Sequence, residues 1–252
     1  MINRIGQTMG LKMNEIRLVI AKGQIRFLSK YFLKKDERLI HGAEICGEHL
    51  GDKEMAIEIA NNKITSRDLF TFEFIKAAVE TVFPQAHDNL MRDLIKMIVF
   101  DAVTGNNDRH FYNWGVIDSK KKTDKMPTFA PLYDSSRGLF WNHNDNYLRA
   151  KFANQQGGKE IDKYIRKGCP RISTELNKGA THFELIEFIK LHYPIYTPII
   201  DELSSELTEN KVINMIKREF YPFFIRERGF YITLILNKRF TKIREVSYAK
   251  TF

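Results

Sequence analysis

At 252 residues, with 43% hydrophobic and 12% aromatic side chains, the chain is long enough to bury a core and too apolar to be disordered. It has no apolar run long enough for a membrane-spanning helix or a secretory leader, and its two cysteines, Cys46 and Cys169, lie outside any metal-ligand spacing, so a disulfide framework is not expected and a reducing cytoplasm is. The net charge of +9 gathers at Lys120 to Lys122 with Lys125, at Lys159 to Lys167 and at Lys238 to Arg244, which is either a solvated face or an attraction for nucleic acid, nucleotide phosphates or an acidic protein.

Met1 to Met9 has the pattern of a helix end stopped by Gly10,. Two alternating runs, EIRLVI and QIRFLSKYF, follow between Glu15 and Phe32, with Gly23 in the turn between them. That predicts a β-hairpin. Residues 34 to 65 are mixed and polar and predict short helices or loop. Ser66 or Asp68 can cap a helix reaching Val82 before Pro84, and Asp88 to Thr104 predicts a second amphipathic helix ended by Gly105,. Trp114 to Ile117 and Phe129 to Tyr133 predict two strands around an exposed turn from Ser119 to Lys125. Beyond Asp134 a polar loop runs to Gly158, followed by helices near 159–167, 181–192, 197–207 and 209–240, with breaks at Pro194, Pro198 and Pro222,. The fold class is α+β, with a strand-containing part over 1–65 and a mostly helical part over 66–252.

The chemistry concentrates in TGNNDRHFYN, Thr104 to Asn113, and in Leu132-Tyr133-Asp134. Asp108 and Asn113 have the D-x-x-x-x-N spacing of kinase catalytic loops. Phosphoryl transfer needs a carboxylate for the acceptor hydroxyl and oxygen ligands that hold Mg²⁺ on the triphosphate. A helix before the loop and a strand pair delivering Asp134 after it supply that set. The competing explanation is that Asp108 and Asn113 make local turns and Asp134 closes a strand.

GNNDRHFYNWGVI with APLYDSSRGLF resembles the C-terminal domain of HipA-like serine/threonine kinases, bacterial proteins distantly similar to phosphatidylinositol kinases that include toxins of toxin–antitoxin pairs. The likeness runs from about Gly10 into the C-terminal helices and is strongest between Ile98 and Phe140. It implies a protein-kinase-like fold with a partial N-lobe and a helical C-lobe, and the cofactors ATP and Mg²⁺. It also implies Asp108 as base, Asn113 and Asp134 as metal ligands, and Arg109 and His110 as braces of the loop. RFLSKYF resembles the strand entering the adenine hinge, with Ser29, Lys30 and Tyr31 offering backbone groups and Tyr31 or Phe32 packing near the base. The implied partners are a protein substrate, an antitoxin, and DNA only through that antitoxin.

The family's phosphate-gripping loop and nucleotide-binding lysine precede the helix that here begins at Met1, and Lys12 and Lys22 fall in the wrong places. The expectation is a kinase short of its first N-lobe strands: a truncated product, a misplaced start, or a half completed by another polypeptide. The alternative function is a catalytically impaired remnant or a basic binding subunit. A lipid kinase shares the loop but would need a membrane-docking segment that the sequence does not offer.

Overall fold

The structure, a computed structural model, describes residues 1–121, 125–154 and 157–246. Helix α1 (Ile2–Thr8) buries Ile5 and stops before Gly10, whose φ of +79° reverses the chain. Strands β1 (Ile16–Ala21) and β2 (Gln24–Ser29) pair antiparallel, with Ala21 opposite Gln24. Lys22 and Gly23 turn between them at φ of +51° and +73°, the two consecutive positive values that suit the twist of a tight hairpin. This pair forms a sheet by itself.

Residues 34 to 65 carry more regular structure than their composition suggests. They form β3 (Glu37–His41), α2 (Gly42–Leu50), α3 (Lys53–Asn61) and the start of α4 (Lys63–Leu69). Strand β3 escapes a local reading because its partner is distant in sequence: it pairs antiparallel with β4 (Gly115–Ser119), Arg38 facing Asp118, and strand preference depends on such neighbours. The helix expected from Ser66 to Val82 is two helices. Ser66 lies inside α4 and spends its hydroxyl on the Lys63 carbonyl. The chain breaks at Phe70, and Thr71 caps α5 (Phe72–Val82) by accepting from the Phe74 amide at 3.2 Å,.

Helix α6 (His87–Thr104) is the axis of the molecule. From Leu90 onward it is buried on nearly every side, and it ends at Gly105 with φ of +68°,. After β4, strand β5 (Thr128–Phe129) completes the order β3-β4-β5. The strand expected over Phe129 to Tyr133 is cut to two residues because Pro131 cannot donate to a ladder. Leu132 instead bonds to the Lys12 carbonyl and the Asn14 amide, at 2.8 and 2.9 Å, in a parallel bridge centred on Met13. Of the expected turn between the strands, residues 122–124 lie outside the described residues.

The expected loop after Asp134 contains a helix, α7 (Asp145–Ala153), capped by Asn144 accepting from the Tyr147 amide at 2.9 Å. Then come α8 (Gly157–Lys167), α9 (His182–His192), α10 (Thr197–Ser204), α11 (Glu206–Glu219) and α12 (Arg226–Glu245), the last two separated at Pro222. Of these, α9, α10 and α12 pack on α6 within a continuous apolar core. No helix among the described residues is long and apolar enough to cross a membrane.

Candidate active site

The left-handed Gly105 turns the chain out of α6 into the loop Asn106 to Trp114. Four backbone or side-chain bonds make that loop rigid before any distant group joins. Asn106 Nδ2 donates to Asp101 Oδ1 at 2.9 Å, and Asn106 Oδ1 accepts from the Asp108 amide at 3.2 Å. Asn113 Nδ2 donates to the Asp108 carbonyl at 3.0 Å, and His110 Nδ1 accepts from the Tyr112 amide at 3.2 Å. Burial holds His110 below the usual histidine range, the nearby Asp108 acting against it. A neutral ring is the form that can accept this bond.

Arg109 is 2% exposed and uses its whole fork. Nε and Nη2 grip both oxygens of Asp101 at 2.9 and 3.0 Å, Nη1 donates to the carbonyls of Asn113 (3.0 Å) and Tyr133 (2.6 Å), and Nη2 also reaches Ser135 Oγ at 2.7 Å. A bidentate pair with every donor satisfied is the arrangement in which a buried arginine is tolerated. Because one nitrogen bonds both Asn113 and Tyr133, the loop and the segment carrying Asp134 are held side by side. Asp134 itself has φ of +46°, an uncommon conformation for a side-chain-bearing residue and one that clusters at functional sites. Tyr133 turns the other way, donating to the Tyr112 carbonyl at 3.0 Å and meeting His41 Nδ1 at 3.1 Å. Burial raises its pKa, so its hydroxyl remains a donor.

Asp108 faces out of the loop with both oxygens engaged. Oδ2 meets Arg137 Nε at 3.1 Å and Oδ1 meets Arg171 Nη2 at 3.2 Å. Asn113 spends its amide nitrogen inside the loop, and its oxygen accepts no hydrogen bond among the described residues. That oxygen and the Asp134 carboxylate are hard donors in number and kind suited to Mg²⁺, which takes one or two protein oxygens and completes its shell with phosphate and water. In donor chemistry these two residues fit the ion.

Beside Asp134 opens a cleft of about 450 Å³, within the range of small-molecule sites. Met13, Ile16, Phe27 and Leu132 give it apolar walls, and Asp134 and Ser135 a polar floor. A wider surface groove of about 840 Å³ between α8 and α12 contains charges of both signs and none of the residues above.

The four hinge residues separate. Ser29 lines the cleft and accepts from Asn14 Nδ2 at 2.6 Å. Lys30 points to Glu15, to which its ammonium binds at 2.8 Å, and its amide donates to the Glu15 carbonyl. Tyr31 is exposed. Phe32 stacks on Tyr133, centroids 5.7 Å apart. Trp114 is core: it stacks on Phe129, and a Cβ on Gly42 would lie 2.3 Å from its ring.

Sequence reading missed Asp101, Ser135 and Arg171, and the support beneath the loop. There α12 sends Arg239 Nε to the Ala102 carbonyl, α8 sends Tyr164 Oη to the Gly105 carbonyl at 3.3 Å, and α9 sets the fully buried His182 beside the same turn. Asp101 had a usable signal, an acid on the buried face of α6 eight residues before an arginine. Arg171 and Arg239 had none, because only the fold brings them near.

A search of curated proteins finds no match. Among solved structures, the chain is similar to the Helicobacter pylori proinflammatory kinase CtkA, with a TM-score of 0.77 and 18% identity over 98% of this chain and 83% of that one. It is also similar to HipA of the Shewanella oneidensis MR-1 toxin–antitoxin system, solved with HipB and operator DNA. There the TM-score is 0.52 and the identity 11%, over 99% of this chain and 57% of that one. At these identities the likeness shows the fold, which is kinase-like. The family model of the HipA-like C-terminal domain matches residues 1–194, which take in the loop, Asp134 and the cleft walls, and the chain belongs to that family.

Proposed function

We propose that this chain is an ATP- and Mg²⁺-dependent serine/threonine protein kinase. The observation that carries the reading is the Arg109 clamp, which holds the loop bearing Asp108 and Asn113 against the segment bearing Asp134. In this reading Asp108 orients the acceptor hydroxyl and takes its proton, while Asn113 and Asp134 hold the metal. Bound Mg-ATP supplies the phosphoryl group and the cation that neutralises its charge. Residues 1–65 in this reading supply N-lobe elements, with Ser29 and the cleft's apolar walls receiving the base, and 66–252 act as the C-lobe.

In this reading the substrate is a cytoplasmic protein and the partner an antitoxin through which DNA is reached, a reading supported by the family match and by the presence of HipB and operator DNA with the Shewanella protein. Transfer of labelled phosphate from Mg-ATP to a generic protein acceptor tests the reading. Asp108→Ala and Asp134→Ala should each lower it by about 100-fold or more, as loss of a preorganised catalytic group does. Transfer that survives both substitutions would remove the mechanism.

One observation favours a second reading, a nucleotide-binding chain with impaired transfer. Among the described residues lining the cleft there is no lysine, and its one arginine, Arg228, is committed to Asp145 and the His143 carbonyl. That reading keeps Asp134-dependent binding of Mg-ATP and loses measurable transfer.

A further inference from the structure

Two arginines hold Asp108, and they differ. Arg171 is mostly covered, follows Pro170 in the segment between α8 and α9, and its Nε is buried without a hydrogen-bond partner among the described residues. It has little room to move. Arg137 is 52% exposed and lies three residues after Asp134, with its guanidinium 5.4 Å above the exposed Trp141 ring. Its chain neighbours Ser136 and Gly138 both line the cleft. With its arginine side open to water while Asp108 is mostly covered, this pair contributes modestly,, whereas an arginine on a phosphate gains short, charge-assisted and often bidentate bonds.

We propose that Arg137 is a nucleotide-gated catalytic residue: it masks Asp108 when the cleft lacks a γ-phosphate and moves onto that phosphate when one is bound. The inference rests on the kinase reading above and specifies how its site is switched on. Arg171 keeps Asp108 Oδ1 and fixes the direction of the carboxylate. The departure of Arg137 releases Oδ2 for the acceptor hydroxyl. In the transfer, the acceptor oxygen bonds to the γ-phosphorus as the bond from that phosphorus to the β,γ-bridging oxygen breaks. The electron pair stays on the departing ADP, and the hydroxyl proton passes to Asp108 Oδ2. Arg137 then lies on the phosphoryl oxygens where charge is spread. This supplies, from the C-lobe side, one of the positive charges that the cleft otherwise lacks. Trp141 provides a face over which the guanidinium swings while remaining in contact.

The test is calorimetry of the full chain with Mg-ADP and with the Mg²⁺ complex of a non-hydrolysable β,γ-imido ATP analogue, on the wild type, Arg137→Ala, Arg137→Lys and Asp134→Ala. The expected result is that Arg137→Ala leaves the ADP affinity within about twofold and weakens the ATP analogue by about tenfold, a modest charge-assisted contact. Arg137→Lys should fall between, since lysine keeps the charge and loses the fork. Equal behaviour of both nucleotides in Arg137→Ala, whether unchanged or equally weakened, would overturn the gate and leave the kinase reading standing. A wild type that binds neither nucleotide, or binding that ignores Asp134→Ala, would overturn the kinase reading itself and the gate with it. Far-ultraviolet circular dichroism and melting curves for each variant separate misfolding from either outcome, and Arg137→Lys carries the comparison if Arg137→Ala fails to fold.

Discussion

The segment from Asp101 to Ser135 and the β1–β2 hairpin lie on opposite sides of one cleft and are built in opposite ways. The first is held by a buried arginine with every donor engaged, by an amide network, and by three side chains pressed up from α8, α9 and α12. The second is a two-stranded sheet with Leu18 76% and Ile20 81% exposed. A free two-stranded ribbon is marginal in water, while a buried arginine with all its donors engaged makes the residues around it stiff. The difference shows where precision is needed. Under the proposed chemistry, metal ligands and a base must hold position to fractions of an ångström, whereas a wall that packs on a flat ring can move.

Breaking the rigid side should cost most. Arg109→Met leaves the Asp101 carboxylate buried without its partner, and the expected loss is about 3–5 kcal/mol in urea unfolding. A loss under about 1 kcal/mol would mean that the loop is held by something other than this clamp.

His182 sharpens the same contrast through pH. Its burial, with Arg239 and Arg67 nearby, holds its pKa well below the histidine range. Below about pH 6.5 the unfolded chain therefore takes up a proton that the fold refuses. The stability is fully present above that pH and falls as the pH drops, by up to about 1.4 kcal/mol per unit. Urea unfolding of His182→Gln between pH 7.5 and 5.5 should show a shallower fall than the wild type. The remaining slope belongs to groups such as His110 and His143, which burial also lowers. An unchanged slope would remove His182 from the support.

The smallest effect belongs to the hairpin. Leu18→Lys and Ile20→Lys should each change the unfolding free energy by less than about 0.5 kcal/mol, as exposed substitutions do. A loss of 2 kcal/mol at either position would erase the distinction between the two walls.

Much of this arrangement could be read from the residues in order. Gly10, Gly23 and Gly105 punctuate the chain where the structure turns, and the long period of α6 is unambiguous. The family likeness rested on Asp108, Asn113 and Asp134, and the family match covers all three. What stayed hidden was non-local. Strand β3 has five residues and meaning only beside β4, and the break at Phe70 depends on Thr71 outcompeting Ser66 for a cap. The two arginines on Asp108 come from positions 29 and 63 residues further on, and no spacing rule joins them. Of the residues read as a hinge, Ser29 closes β2 and lines the cleft, while Lys30, Tyr31 and Phe32 lie beyond the strand with side chains toward Glu15, solvent and Tyr133.

Arg239 carries a consequence for the order in which the protein is made. The carbonyl it supports lies 137 residues earlier in the chain. At roughly 5–20 residues per second, a ribosome finishes the Asp108 loop roughly 6 to 25 s before it adds that arginine. During that interval the loop exists without its underpinning, so a growing chain passes through a silent period before the site can set. Release of the chain before α12 is complete would leave that period without an end.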